Sequence, residues 1–487
     1  MLFNNKIFAQ KTENEKNMSE IMKHFGVSDA DLKKVIAEAM SRGGSYADLY
    51  FENTSSNNLS LRDNTVSKAA SDVDFGMGVR VVSGDRTGYA YTEVITLNDM
   101  LKAARTAAGI ADENAKISSI NVNEKTFANR YPVEKKWEDI TIRHKIPYVQ
   151  KLNDRIFELD PKVSKVNVNL SDSSSWIMFF NSEGQLSFDY RPMVSLSVVC
   201  IMEKDGKIEN WYAGRSFRKG VEFLTDALVE DLAQEAVRKT SLMFEAIVPK
   251  GGEMPVVMAA GSSGILLHEA IGHSFEADFN RKETSIFSDK YGKQICDRSI
   301  NIVDDGIIPN NRGSINFDDE GIESQKTFLV REGVLTSYIH DRISAKHYNV
   351  APTGNGRRES FRHAPIPRMR ITYMENGNIP ESDIIASVKN GIYVDTFSNG
   401  QVEIGAGDFT FFVKSGYLIE NGKLTQPVKD INIIGNGPRA LADITMIGNN
   451  LKIDHSTWTC GKDGQGVPVS QGLPSALVKK LTVGGTN

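Results

Sequence analysis

The sequence predicts an α+β protein: an N-terminal domain of helices and antiparallel or mixed sheet, then a C-terminal, β-rich, barrel-like domain that carries a short histidine-bearing helix. Three observations lead there. Stretches with apolar residues at helical spacing interleave with alternating stretches through the first half of the chain. Pro249-Lys250-Gly251-Gly252 then interrupts the pattern. Past the histidine helix, short strand-like runs separated by Asn-Gly turns dominate. The expected division is a disordered extension over 1–25, an α+β domain over 26–248, and a second domain over 249–487 that holds the chemistry.

The first helix starts at Ser28, where Ser-x-x-Asp supplies a capping pattern, runs through Leu32, Val35, Ile36, Ala39 and Met40, and stops at Gly43-Gly44. Ala47 to Phe51, Leu59 to Leu61 and Val79 to Tyr91 read as strands, the last turning back at Ser83-Gly84-Asp85. Gly76-Met77-Gly78 is no dinucleotide loop, because a strand and a turn follow it rather than a helix. Residues 97–108 and 147–159 read as helices, with Pro147 suited to a first helical turn. Strands follow at 163–170, 176–180 and 186–190, with Asn181-Ser182-Glu183-Gly184 as a turn, and antiparallel pairing is expected. Cys200, in the alternating run from Val194 to Met202, fits a small core hydrophobe. An amphipathic helix from about Leu224 to Glu245 closes this half. In the second half, Pro255-Val256-Val257-Met258-Ala259 reads as a strand and Gly261-Ser262-Ser263-Gly264 as a tight turn into a helix buried on one side. One more helix is expected around Ser382 to Lys389, and Asn399-Gly400, Asn421-Gly422 and Asn436-Gly437 read as turns.

Composition narrows the function classes. The chain has 487 residues, 40% hydrophobic and 24% charged, with a formal net charge of −5, which suits two or three domains with substantial cores. Mild acidity argues against nucleic acid as the main partner, since phosphate binding needs a concentrated basic surface. Three widely spaced cysteines fit a reducing compartment better than a disulfide framework. No apolar run approaches the roughly 18–20 residues that span a bilayer. Residues 1–17 lack a signal-peptide core, and Met18 offers an alternative start. A cytoplasmic location and no membrane partner are therefore expected.

His268-Glu269-Ala270-Ile271-Gly272-His273 places two imidazoles and a carboxylate in an apolar setting. Imidazole is a good zinc ligand, and a Glu beside the first His can take a proton from an attacking water, as peptide hydrolysis requires. The spacing departs from His-Glu-x-x-His. Five α-helical steps rotate a side chain by about 500°, leaving the imidazoles roughly 140° apart. Convergence on one metal therefore calls for a wider turn with i to i+5 bonding, or for the helix to end or distort, and Gly272 makes distortion cheap. The bland alternative is a pair of buried, hydrogen-bonded histidines.

A catalytic zinc usually takes three protein ligands. Candidates for the third are His24, His144, His340, His347, His363, His455, Glu276, Asp278 and the cysteines. Cys460 stands out, since the glycine-rich stretch 459–466 has little to bury a thiol for packing alone, whereas Cys296 sits in a polar stretch with no obvious partner.

Several stretches together carry a resemblance: HEAIGHSFEADFNR (268–281), TGNGRRESFRHAPIPRM (353–369), GQVEIGAGDFTFFVKSGYLIENG (400–422), PVKDINIIGNG (427–437), CGKDGQGVPVSQGLP (460–474) and, more weakly, GMGVRVVSGDRTGYAY (76–91). The chain resembles the TldD/PmbA family of modulators of DNA gyrase, in its TldD-like metallopeptidase branch, from about Asp48 to the C-terminus. The gyrase label carries no implication of DNA binding. The resemblance implies one zinc ion per chain, held by His268, His273 and Cys460, with Glu269 as general base. It also implies a dimer, either of this chain with itself or with a PmbA/TldE-like chain lacking the His-Glu-x-x-x-His residues. A thiolate ligand would make the zinc a somewhat weaker Lewis acid than an all-histidine site.

The expected function is zinc-dependent hydrolysis of small or unfolded peptides. Two other classes remain open: a non-catalytic or regulatory subunit, against which Glu269 argues because a structural metal needs no base, and a metal-dependent amidohydrolase acting on a small molecule. Arg357, Arg358, Arg362 and His363, with Arg368 nearby, cluster in a Gly- and Pro-rich loop. Guanidinium groups suit a peptide carboxylate, so these residues are substrate-binding candidates; equally, they can tie the loop to carboxylates of their own fold. After Met369 the chain has Arg370-Ile371, where relatives are expected to carry small polar residues.

Overall fold

A computed structural model of the chain describes residues 20–112 and 120–485. The α+β reading holds in both halves. Helix α1 (Asp29–Met40) starts on the expected capping box: Asp31 N–H donates to Ser28 Oγ at 3.3 Å while Ser28 N–H donates to the Asp31 carboxylate at 3.1 Å. The extension expected over 1–25 falls, for residues 1–19, outside the described residues. Residues 20–25 are helical, and Ile21 and Phe25 are buried in the first core, so order begins earlier than expected.

The main departure is strand length. β1 (Tyr46–Arg62) is one strand, not two, and it pairs along its whole length with β2 (Thr65–Ser83), of which only the end was expected. Its middle, Glu52–Asn58, is polar on both faces, so apolar alternation could not reveal it. β3 (Arg86–Thr92) follows the turn at Gly84-Asp85 as expected. With β4 (Val163–Asn181), β5 (Gln185–Lys204) and β6 (Lys207–Phe217) these form an antiparallel sheet ordered β3-β2-β1-β4-β5-β6.

One face of this sheet carries four helices. α1 and α2 (Leu97–Ala108) cover Leu49, Phe51, Val79, Met178 and Phe180. α3 (Ile142–Leu159) and α4 (Asp226–Met243) cover Leu59, Leu61, Val168, Leu196 and Val198. These sheet residues share a parity along each strand, as a period of two requires. Pro147 lies inside α3 rather than in its first turn, because the helix starts earlier, at Ile142.

In the second half, β7 (Gly252–Met258), β8 (Asn390–Val402), β9 (Asp408–Glu420), β10 (Ile431–Asn436) and β11 (Ala476–Val483) close into a barrel in the order β8-β7-β11-β10-β9, with β9 pairing back to β8. Asn421-Gly422 forms the expected tight turn, both residues having positive φ. Asn399-Gly400 does not: both lie within β8, where a Cβ on Gly400 would sit 2.4 Å from the Phe411 ring. Asn436-Gly437 is instead a junction from β10 into a short helix, Gly437–Ala442.

A buried ionic network ties the halves together. Arg80 bridges Asp48 of β1 and Glu320, at 2.6 Å to the latter; Arg191 of β5 joins Asp189 and Asp319; Arg358 reaches Asp48 and the Asp319 backbone. Pairs this deep hold because each charge has several partners, and removing one strands the rest.

Glu52 sits in β1 at this junction, accepting hydrogen bonds from Phe361 N–H (2.8 Å) and the Thr54 hydroxyl (2.7 Å). Burial, aided by nearby Asp319, outweighs those hydrogen bonds and pushes its carboxyl up to about 7. A carboxyl raised on folding favours the folded state below its unfolded pKa of 4.5 and loses that contribution as pH climbs through 7. The Glu52→Gln variant keeps hydrogen-bonding capacity without ionising. Its melting temperature relative to wild type should therefore rise between pH 4.5 and pH 8, by the equivalent of up to ~3 kcal/mol; a difference that stays flat with pH would refute the assignment.

Candidate metal centre

β7 delivers the chain to Gly261, whose φ of 103° only glycine adopts easily and whose N–H donates to Leu473 O. From there the helix changes pitch three times: 3₁₀ at Ser262–Gly264, α at Ile265–Leu267, π at His268–Gly272, and 3₁₀ again at His273–Phe275. The His273 N–H donates to His268 O, the i to i+5 bond that the spacing demanded. The helix is buried more completely than an amphipathic element would be, with Ile265, Leu266, Leu267, Ala270, Ile271 and Phe275 all in the second core.

Gly272 serves that turn differently from the sequence expectation. Its φ of −59° is ordinary helical backbone. What it supplies is room, because a Cβ there would lie 2.2 Å from Met369 Sδ.

The wide turn brings the two imidazole centroids to 5.0 Å, with ring planes 84° apart. Cys460 arrives on a hairpin formed by Thr459–Lys462 and Gln465–Pro468, and its Sγ lies 3.4 Å from His273 Nε2. Donor atoms of His268, His273 and Cys460 all fall within 4.8 Å of one another, and all three side chains are buried. Among the described residues no other group of three or more His, Cys, Asp or Glu is so arranged. Two imidazoles and a thiol are a zinc-type donor set, and metal–ligand bonds of about 2.0–2.3 Å imply ligand separations of roughly 3.6 Å, which this cluster matches after small adjustments. His268 Nδ1 is buried without a hydrogen-bond partner. The residues present therefore fit a tetrahedral metal.

Electrostatics favour the same reading. Burial opposes ionisation of the Cys460 thiol, yet His268 and His273 facing it hold it well below the usual thiol range. Burial likewise opposes a charge on Glu276, but Lys462 and His273 hold its carboxyl down at about 2. Glu276 accepts from His273 Nδ1 at 3.0 Å, the arrangement by which a carboxylate fixes a ligating imidazole. Lys462 Nζ lies 3.1 Å from Glu276 and 2.7 Å from Asp278. Cys460 and Lys462 are two apart on one strand, so the hairpin presents both on one face. Sequence reasoning had weighed Glu276 and Asp278 as ligands and had missed Lys462; the Cys-x-Lys alternation was its only trace. Glu269, with its side chain 20% exposed, is the least buried member of the group and lies 4.0 Å from His273 Nε2.

The other histidines lie elsewhere. His24 stacks on Trp176, His144 caps α3, His363 meets Ser360, His455 packs on Phe217, and His340 and His347 pack against Tyr348. The arginine loop is engaged by its own fold. Arg357 is buried and donates to Met369 O and Pro468 O; Arg358 faces Asp48 and Asp319; Arg362 pairs with Asp74 and Glu93. Arg368 donates to Cys460 O and Gln465 O, so it holds the cysteine hairpin itself. Arg370 is buried against Asp304, which gives the expected departure at that position a packing role.

Comparison with known proteins comes to the same place. The family model described as PmbA/TldA metallopeptidase C-terminal domain matches residues 251–485; those for domain 1 and the central domain match 47–111 and 135–244. The metalloprotease TldD homologue of Haemophilus influenzae is 40% identical over 91% of this chain and 93% of its own length. The zinc metalloprotease TldD homologue of Saccharolobus solfataricus is 28% identical over 93% of this chain and 99% of its own. In fold, the chain is similar to a candidate modulator of a DNA gyrase from Thermotoga maritima (TM-score 0.75, 20% identity, 94% of this chain and 100% of that one) and to TldE from Thermococcus kodakarensis (TM-score 0.73, 18% identity, 93% and 100%).

The space beneath Met369 is testable. A Gly272→Ala substitution should overpack the turn, lowering stability by about 1–3 kcal/mol, and should weaken divalent-metal retention because the imidazoles are driven apart. Trimming the obstacle with Met369→Ala in the same chain should restore part of the metal affinity. Competition titration with a chelator reads both; equal affinity in Gly272→Ala and wild type would show that the turn has room to spare.

Proposed function

The chain belongs to the TldD/PmbA metallopeptidase family, and from that we propose that it is a zinc-dependent peptidase acting through the His-Glu-x-x-x-His motif on small or unfolded peptides. The observation that carries this reading is the convergence of His268, His273 and Cys460 beside a part-exposed carboxylate, Glu269. His268, His273 and Cys460 would hold one zinc ion, which when bound supplies Lewis acidity toward water and the scissile carbonyl.

The chain's own groups perform the remaining work. Glu276 keeps the Nδ1 proton of His273 engaged, so that Nε2 faces the centre. Lys462 compensates the charge of Glu276 and Asp278, which lets both carboxylates stay buried and fixed. Glu269 accepts the proton of the attacking water and delivers it to the departing amine nitrogen, leaving an amine and a carboxylate. The adjoining helix and barrel core keep bulk water from the donor atoms. A subunit with only a structural metal would have no use for Glu269 in that position.

The same reading gives the chain a dimeric partner, either a second copy or a TldE-like chain; the likeness in fold to TldE supports it. A cytoplasmic setting is in keeping with three free, buried cysteines and with the absence, among the described residues, of any helix long and apolar enough to cross a membrane.

Purified wild-type protein should contain close to one zinc per chain by elemental analysis. Cys460→Ala should lose most of it. Glu269→Gln should keep the zinc and lose peptide cleavage by at least about a hundredfold, the scale of a positioned general base. Cleavage that survives in a zinc-loaded Glu269→Gln protein would remove Glu269 from its role, and a zinc-free wild-type protein active after chelation would remove the metal.

A further inference from the structure

Strand β2 leaves one long stretch of backbone without a neighbour. It pairs with β1 along its whole length, but β3 covers its outer side only from Met77 to Ser83. Over residues 65–75, no backbone hydrogen bond among the described residues reaches that outer side. Every side chain in 65–74 is exposed except Ala70, which is half-buried. Proteins ordinarily blunt such an edge with proline, a covering loop or several charges, because its free N–H and C=O groups are a template for another strand. This one has no proline and a single lysine, and its register with β1 is unbroken from Lys68 onward.

Two features of this edge share a centre. The unpaired stretch, 65–75, is centred on Ala70, since the hairpin turn Asp63-Asn64 bounds it at one end and β3 takes over at the other. The charges are arranged about the same residue. Lys68 lies two positions before Ala70 and Asp72 two after, so all three side chains point to one face. That face is the one away from the helices, because Met77, Val79 and Val81, of the opposite parity, lie in the first core. Asp74 is already held by Arg362, whereas neither Lys68 nor Asp72 has an ion-pair partner among the described residues.

We infer that this edge is the seam of a homodimer: β2 of a second copy of this chain lies antiparallel along it, Ala70 beside the partner's Ala70, and joins the two sheets into one. The inference rests on the dimeric reading above and deepens it by naming a surface and a register. In that register Lys68 faces the partner's Asp72 and Asp72 faces the partner's Lys68, so the two-fold axis makes both cross-strand pairs attractive. Pairing moved by one residue sets Lys68 opposite Ser71 or Val73 and loses both. The small side chains of Ala69, Ala70 and Ser71 let the two backbones close to the usual strand spacing. The partner's hairpin turn then ends just short of β3, so the free edge is as long as the strand that fills it. A pattern that is its own complement selects a second copy over a different chain.

The test uses the full-length chain, its mass measured by sedimentation equilibrium at micromolar concentrations. Wild type should be a dimer. Lys68→Glu and Asp72→Lys, both at exposed side chains, each set two like-charged pairs across the seam and should weaken dimerisation by roughly ten- to hundredfold. Mixed in equal amounts, those two variants should form a heterodimer of wild-type affinity, because every facing pair is then opposite in sign; misfolding cannot mimic that rescue. Ala70→Cys should give a disulfide-linked dimer under copper–phenanthroline oxidation, since directly opposed strand residues have Cα atoms about 4.5–5.5 Å apart, within the span of a disulfide. The three native cysteines are buried and do not compete. A monomeric wild type overturns the proposal together with the dimeric reading. A wild-type dimer that ignores the charge reversals, or in which Ala70→Cys does not cross-link, overturns the seam alone and leaves the dimeric reading standing.

Discussion

Everything at the centre depends on one hydrogen bond, that from the His273 N–H to the His268 carbonyl five residues back. Regular α-helical bonding would aim the two imidazoles roughly 140° apart. The widened turn brings their rings to 5.0 Å instead. A π-turn is less favourable than the α-helix it interrupts and persists only where its surroundings over-determine it. Here they do so from three directions. Met369 fills the space a side chain at 272 would need, Gly437 lets the backbone of the following helix approach Ala270 O, and Gly400 lets β8 press on Glu269. The apolar residues on both sides of the turn are locked in the barrel core.

The legibility of the structure follows from the same physics. His268, Glu269 and His273 were legible because an apolar setting makes three polar groups conspicuous, and the mismatch between spacing and helical period itself called for a distortion. Cys460 was legible only as an anomaly, a thiol in a glycine-rich stretch. The role of Glu276 was legible only in part: His273 is three residues away, but Lys462, which balances its charge, lies nearly two hundred residues on, and a sequence carries no record of that approach. The same blindness hid β2. Its outer half, Thr65 to Asp74, and the middle of β1 are rich in Ser, Asn and Asp, residues that signal turns in isolation but here pair across a regular ladder. Tertiary pairing overrode local propensity.

Glycine shows the limit most clearly. Gly272 was read as a flexible point, yet its backbone is ordinary and its value is volume. Asn399-Gly400 was read as a turn, yet the glycine is there for close approach of the Phe411 ring and of Glu269. In both cases the missing Cβ matters for what lies across the space, which no window of sequence contains. Gly84, Gly184, Gly261 and Gly422, by contrast, behave as local chemistry alone would have it, at positive φ.

The separation of the proposed donors in sequence decides how a metal held there would relate to folding. His273 and Cys460 are 187 positions apart, so a metal that had to gather them from an open chain would work against a large loop-closure entropy. The chain does not ask that of it. Arg368 already holds the carbonyl of Cys460, Arg357 and Gln465 hold the far strand of the hairpin, and Lys462 anchors it to Glu276 and Asp278 on the other side. The barrel core supplies the closure, and the hairpin then sits with its sulfur 3.4 Å from the imidazole. This is the opposite of a zinc finger, where metal binding is most of the folding free energy. A pre-organised cluster spends little of its binding energy on ordering protein, so the rigidity that keeps three donors and one carboxylate in register comes from arginines and aliphatic side chains that never meet the metal.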